Sequence, residues 1–157
     1  MSAYLTEIDR IKQLIGNRVL NTVFFGGDTP SLMDPEIVHK ILDHVRYTWP
    51  CATDMELTLE ANPSSVEATR FRGYAQAGVT RISMGIQALK DTDLRRLGRV
   101  HTVADARNAC DIARSVFDRV SFDLIYARQD QSISDWQSEL SEALSMAVDH
   151  LSLYLLT

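Results

Sequence analysis

Two hydrophobic periods take turns along this chain: short runs with strand character are separated by segments whose apolar residues recur every three or four positions. A helix is predicted over about residues 3–15 and a strand at 20–25. Asp34 then caps a helix with Pro35 at its first position, and Ile37, Val38, Ile41, Leu42 and Val45 form its apolar stripe. A strand at 55–60 follows, then a shorter helix from about Ser65 with Gly78 as its left-handed stop. Gly73 within that helix costs about 1 kcal/mol relative to alanine. The next strand is 81–86, followed by a short helix at 91–97 that Gly98 ends. Thr102, with Asp105 three residues on, opens a helix burying Val103, Ala106, Cys110, Ala113 and Phe117. A strand at 120–125 leads to a helix starting near Ser132, expected to bury Ile133, Trp136, Leu140, Leu144 and Ala147. The last strand is 151–156. No linker interrupts the series, so residues 1–157 read as one domain.

Strands that recur after single helical crossovers imply a parallel sheet. In a doubly wound sheet both faces are covered, and the strands read as continuous apolar runs. Here they alternate. Leu57 and Leu59 oppose Glu56, Thr58 and Glu60; Ile82, Met84 and Ile86 oppose Ser83, Gly85 and Gln87. Val120, Phe122 and Leu124 oppose Ser121 and Asp123, and Leu151, Leu153 and Leu155 oppose Ser152 and Tyr154. The apolar face meets the helices. The other face is too polar for the packed interior of an ordinary eight-stranded barrel, which predicts an open or partial barrel with a polar ligand inside.

Composition narrows the function without naming it. The apolar share of 45% is ordinary for a globular chain, and the net charge of −5 disfavours nucleic acid or an anionic membrane as the main partner. No run is long enough to span a membrane and no signal pattern opens the chain, so a cytoplasmic setting is expected. Arg95, Arg96 and Arg99 form a basic cluster best read as a solvated helix end. Cys51 and Cys110 match no metal or redox spacing, and His39, His44, His101 and His150 form no ligand set.

Ligands of such folds sit at the carboxyl ends of the strands. The first strand ends in Gly26-Gly27-Asp28-Thr29-Pro30, where two glycines allow close backbone approach. Glu60, Gln87 and Asp123 end or line later strands on the polar face, and Arg99 follows the short helix within reach of a carboxylate. Each has an ordinary structural explanation. Their convergence at one end of one sheet predicts a small-molecule site.

Six segments then resemble a known family. Phe25-Gly26-Gly27-Asp28-Thr29-Pro30-Ser31-Leu32, Leu59-Glu60-Ala61-Asn62-Pro63, Ser83-Met84-Gly85-Ile86-Gln87, Leu97-Gly98-Arg99-Val100-His101, Phe122-Asp123-Leu124-Ile125-Tyr126 and the closing His150-Leu151-Ser152-Leu153-Tyr154-Leu155-Leu156-Thr157 follow one another in order. They resemble the radical S-adenosylmethionine (SAM) proteins of the oxygen-independent coproporphyrinogen III oxidase family. The Leu-Gly-Arg-Val-His and Leu-Ser-Leu-Tyr versions look more like its heme-chaperone (HemW-like) branch than the oxidase proper.

The resemblance implies a partial (β/α)6 TIM-like barrel. It also implies a [4Fe–4S] cluster on three cysteines of a C-x3-C-x2-C loop, whose open iron chelates S-adenosylmethionine and whose reduction yields a 5′-deoxyadenosyl radical. Carried across, Gly27, Asp28 and Thr29 meet the methionine moiety, while Glu60, Gln87, Arg99 and Asp123 contact the rest of the cofactor. The implied partners are heme or a porphyrinogen, with an electron donor for the cluster in the full-length protein. Against the family pattern the chain reads as a fragment: the cysteine loop, the first barrel strand and the carboxyl-terminal region are lacking. Ala127-Arg128-Gln129-Asp130 stands where a Gly-Leu-Pro-Gly type of loop is expected. These residues by themselves are therefore expected to hold no cluster and to perform no radical chemistry. Two other readings stand beside the heme chaperone: oxidative decarboxylation of coproporphyrinogen III propionates, and a phosphate-binding barrel enzyme using Gly26-Gly27.

Overall fold

A computed structural model describes residues 2–27, 29–63, 68–147 and 150–157. The elements run α1 (Ser2–Ile15), β1 (Leu20–Phe25), α2 (Pro35–Thr48), β2 (Cys51–Ala61), α3 (Ala68–Ala77), β3 (Arg81–Gln87), α4 (Asp91–Arg96), α5 (Val103–Val116), β4 (Arg119–Tyr126), α6 (Ile133–Met146) and β5 (His150–Leu155). A single 3₁₀ turn, Pro30–Leu32, lies between β1 and α2.

The helix starts follow local chemistry. Asp34 accepts the Glu36 amide at 2.8 Å beside Pro35. Thr102 with Asp105, and Ser132 with Asp135, each form a reciprocal capping box at the starts of α5 and α6. Gly78 ends α3 with φ +104°, the left-handed conformation that glycine adopts without penalty. The α3 start expected near Ser65 lies outside the described residues.

All neighbouring strands pair in parallel, in the order β1-β2-β3-β4-β5. A doubly wound sheet would reverse its order part-way. Here each strand joins the one before it, and the sheet curls into a half-barrel, as the alternating faces require. β2 begins at Cys51, several residues upstream of the expected strand; its register with β1 jumps between Leu20↔Cys51 and Thr22↔Glu56.

The core lies between the helices and the outer face of the sheet. Leu57, Leu59, Ile82, Met84, Ile86, Val120, Phe122 and Leu124 are all buried there with Phe71 and Tyr74 of α3. Each such side chain contributes roughly 1.5–3 kcal/mol by leaving water. Gly73 is where α3 touches α2, since a Cβ would stand 2.8 Å from Pro35 Cγ. α1 packs on α2, where Ile8 and Ile11 meet Ile41, Val45 and Trp49, and Asp9 reaches His44 at 2.7 Å.

Helix α6 departs from the expected face. Ile133 and Leu144 are 79% and 60% exposed, whereas Glu139 and Ala143 are buried. The cause is electrostatic. Glu139 Oε1 accepts the Leu89 amide at 2.7 Å and Oε2 pairs with Arg128 Nη2 at 2.6 Å, so the helix turns this acid inward. A period-3.6 count cannot anticipate a buried charge whose partner sits in a loop.

Candidate functional site

The inner face of the sheet forms a polar trough. Strand register stacks it in layers: Thr58 faces Arg81, which faces Arg119; Glu60 faces Ser83, which faces Ser121; Asp123 faces Ser152. At its carboxyl end lies a cavity of about 340 Å³, lined by Gly27, Thr29, Glu60, Gln87, Arg99 and Asp123 together with Ser83, Gly85, Ser152 and Tyr154. Six of the residues expected to form a site thus meet around one space, and Asp28 lies outside the described residues.

Glu60 Oε2 accepts the Gly27 amide at 3.2 Å, which ties the turn after β1 to the end of β2. A Cβ on Gly26 would approach that carboxylate oxygen to 3.3 Å and the Phe24 ring to 2.6 Å. The following turn is anchored beneath: the Tyr74 hydroxyl lies 2.7 Å from the carbonyl oxygens of Ser31 and Met33. Gly85 opens the far wall, where a Cβ would come within 3.4 Å of Arg99 Nη2 and 3.9 Å of Asp123 Oδ1. Arg99 Nη2 donates to the Gly85 carbonyl at 3.4 Å.

Two buried polar atoms here, Arg99 Nε and Asp123 Oδ1, have no hydrogen-bond partner among the described residues. Burial pushes the Asp123 carboxyl up to about 6, against the backbone amides of Asp123 and Ile86 and the Arg99 guanidinium, with Glu60 adding to the rise. Charged residues of both signs thus line one cavity, a lining suited to a zwitterionic ligand.

The remaining candidates separate. Arg99 leaves the basic cluster for the cavity, while Arg96 stays outside at 3.4 Å from Asp130. His39 and His44 have their own carboxylates, Asp43 and Asp9. Three features escaped sequence reasoning: the buried Arg128–Glu139 pair, His101 beneath the tip of β3, and an ion cluster of Glu56, Arg81 and Arg119 deeper in the trough. Only the last had a legible signal, because Glu56 sits on the polar side of its strand.

A family profile described as the Radical SAM superfamily matches residues 3–141. The chain belongs to the radical SAM superfamily. Heme chaperone HemW of Haemophilus influenzae is 39% identical over 152 residues, 96% of this chain and 40% of that protein. A mouse protein, radical S-adenosyl methionine domain-containing protein 1, mitochondrial, is 41% identical over 98% of this chain and 35% of its own length. Among solved structures, coproporphyrinogen III oxidase (HemN) from Escherichia coli superposes with a TM-score of 0.86 over 99% of this chain and 36% of that one. At 22% identity that likeness concerns the fold. The chain spans about 40% of the length of the bacterial relatives it matches.

Membership of the radical SAM superfamily implies S-adenosylmethionine and a [4Fe–4S] cluster as the family's cofactors. The cavity fits the first, through charged groups of both signs, Arg99 and Asp123, that each keep one unpartnered atom. The described residues do not fit the second: no group of three or more His, Cys, Asp or Glu converges among them. Cys51 begins β2 at the end of the sheet opposite the cavity, and Cys110 is buried in α5, where burial pushes its thiol up to about 11. No described helix is long and apolar enough to cross a membrane.

Proposed function

We propose that this chain forms the S-adenosylmethionine-binding part of a HemW-like protein of heme metabolism. The observation that carries the reading is charge complementarity. S-adenosylmethionine presents an ammonium, a sulfonium and a carboxylate; the cavity presents two carboxylates, Glu60 and Asp123, and one guanidinium, Arg99. The Gly27–Thr29 turn, including Asp28, would line one side of the methionine moiety, and Glu60, Gln87, Arg99 and Asp123 would face its charged groups and the rest of the cofactor. The same charges weigh against a phosphate ligand, since the Gly27 amide is taken by Glu60 rather than left for an anion.

Identities of 39% and 40% to the heme chaperones HemW of Haemophilus influenzae and Escherichia coli favour heme carriage over porphyrinogen oxidation for the complete protein. Heme or a porphyrinogen is then its partner, and the cluster, held by cysteines other than Cys51 and Cys110, draws on an external electron donor. Titration calorimetry of this chain with S-adenosylmethionine, S-adenosylhomocysteine and a sugar phosphate tests the cavity; binding of the sugar phosphate alone would overturn the reading. For a complete relative, retention of heme without turnover of coproporphyrinogen III supports the carrier, and turnover refutes it.

A further inference from the structure

We infer that His101 is a positioning residue: it clamps a strained turn at the tip of β3 and thereby aims the Gln87 amide into the cavity. The β3–β4 ladder runs to Met84↔Phe122 and resumes at Gln87↔Leu124, so β3 carries one residue more than its partner over this span. At the end of that bulge the Ala88 amide donates to the Ile86 carbonyl at 3.0 Å. The result is a three-residue turn centred on Gln87, whose φ is +70°. Turns of this hand are rare and strained for a residue bearing a side chain. They persist only where surrounding contacts over-determine them.

Three contacts do so. Arg99 holds the Gly85 carbonyl, Glu139 accepts the Leu89 amide, and His101 Nε2 lies 3.1 Å from the Ile86 carbonyl, the acceptor that closes the turn. His101 is 3% exposed and does not line the cavity. Facing a carbonyl, Nε2 carries the hydrogen, and Nδ1 has no partner among the described residues. A purely space-filling side chain would not bury an unpaired nitrogen there. Burial lowers the His101 pKa, the Ile86 carbonyl opposes that and Arg99 adds to it, which keeps the ring neutral beside the guanidinium.

What Gln87 touches rests on the ligand proposed above; the clamp does not. The test therefore reads both, on the full chain, with His101→Leu and His101→Gln. In the ligand-free protein, hydrogen exchange at the Ala88 and Leu89 amides should quicken about five- to tenfold in the leucine variant, the ratio one lost hydrogen bond carries. Amides of Leu59 and Ile82 should not change. Glutamine, which restores a donor at similar reach, should return exchange and S-adenosylmethionine affinity to within about twofold of the parent. Unchanged exchange at Ala88 and Leu89, an equal rise in every strand, or no rescue by glutamine would overturn the clamp. If the leucine variant does not fold, His101→Asn replaces it: too short to reach Ile86, it must loosen the turn where glutamine does not. A parent chain that binds no S-adenosylmethionine sinks the cofactor reading, while exchange still decides the role of His101.

Discussion

The inner trough of the sheet contains two charged layers, reached from β2 by Glu56 and Glu60, and they are finished differently. In the deeper one, Glu56 is shared by Arg81 at 3.2 Å and Arg119 at 2.5 Å, with the Thr58 hydroxyl at 3.0 Å. Burial raises the Glu56 carboxyl, yet Thr58 and the two guanidiniums outweigh it and hold it below its ordinary value. In the upper layer Glu60, Arg99 and Asp123 are spread around a cavity, Arg99 Nε and Asp123 Oδ1 stay unpartnered, and Asp123 is pushed up to about 6. One strand pattern thus makes a carboxylate that is satisfied by the protein and another that keeps an unpartnered oxygen. The contrast between paired and unpaired charges is what places the proposed ligand site at the carboxyl end of the strands.

The sharpest way to break this contrast is Arg99→Ala. It should weaken S-adenosylmethionine binding at least about 100-fold, roughly 3 kcal/mol, because the carboxylate of the proposed ligand would lose its cation; calorimetry at pH 7.5 reads it, and unaltered affinity would place the ligand elsewhere. Next comes pH. Asp123 has a folded pKa of about 6, above its ordinary carboxylate value, so its contribution to stability is present at low pH and is lost as pH rises through 6. Asp123→Asn should remove that loss and stabilise the ligand-free chain at pH 8 by on the order of 2 kcal/mol, with a difference in urea stability that grows between pH 4 and 7. A flat difference would mean that Asp123 titrates normally.

Glu56→Ala tests the deeper layer. Leaving Arg81 and Arg119 to face each other should cost about 1.5 kcal/mol of stability, while S-adenosylmethionine affinity stays within about twofold; a large affinity loss would merge the two layers into one site. The smallest effect belongs to Gln87→Gly. Relief of the positive φ should raise stability by about 1 kcal/mol even as the lost amide weakens binding. A fall in melting temperature would show the turn to be unstrained.

Much of this was legible beforehand because period-2 alternation states directly which side of a strand meets helices. It put Glu60, Gln87 and Asp123 on one face, and capping chemistry at Asp34, Thr102 and Ser132 marked the helix starts. What escaped were contacts between segments far apart in sequence. Arg128 reaches Glu139, Asp93 at 2.9 Å and the Ile125 carbonyl, and this network is what turned α6 away from its expected face. The loop that carries it also holds Ala127 at φ +58° and Asp130 at φ +61°, the two positions where the Gly-Leu-Pro-Gly pattern would supply glycine. Residues with side chains therefore take positive φ where that pattern has glycine, and a buried ion network holds the loop in place.

The order of strands and helices, the polarity of each strand face and the caps were determined by the sequence itself, since each depends on residues within a turn or two of one another. The bulge at Gln87, the inward Glu139 and the unequal pairing of Glu56 and Asp123 were decided only by tertiary structure. Each of these depends on which distant partner arrives, and a carboxylate's charge state follows from the neighbours that surround it once water has gone.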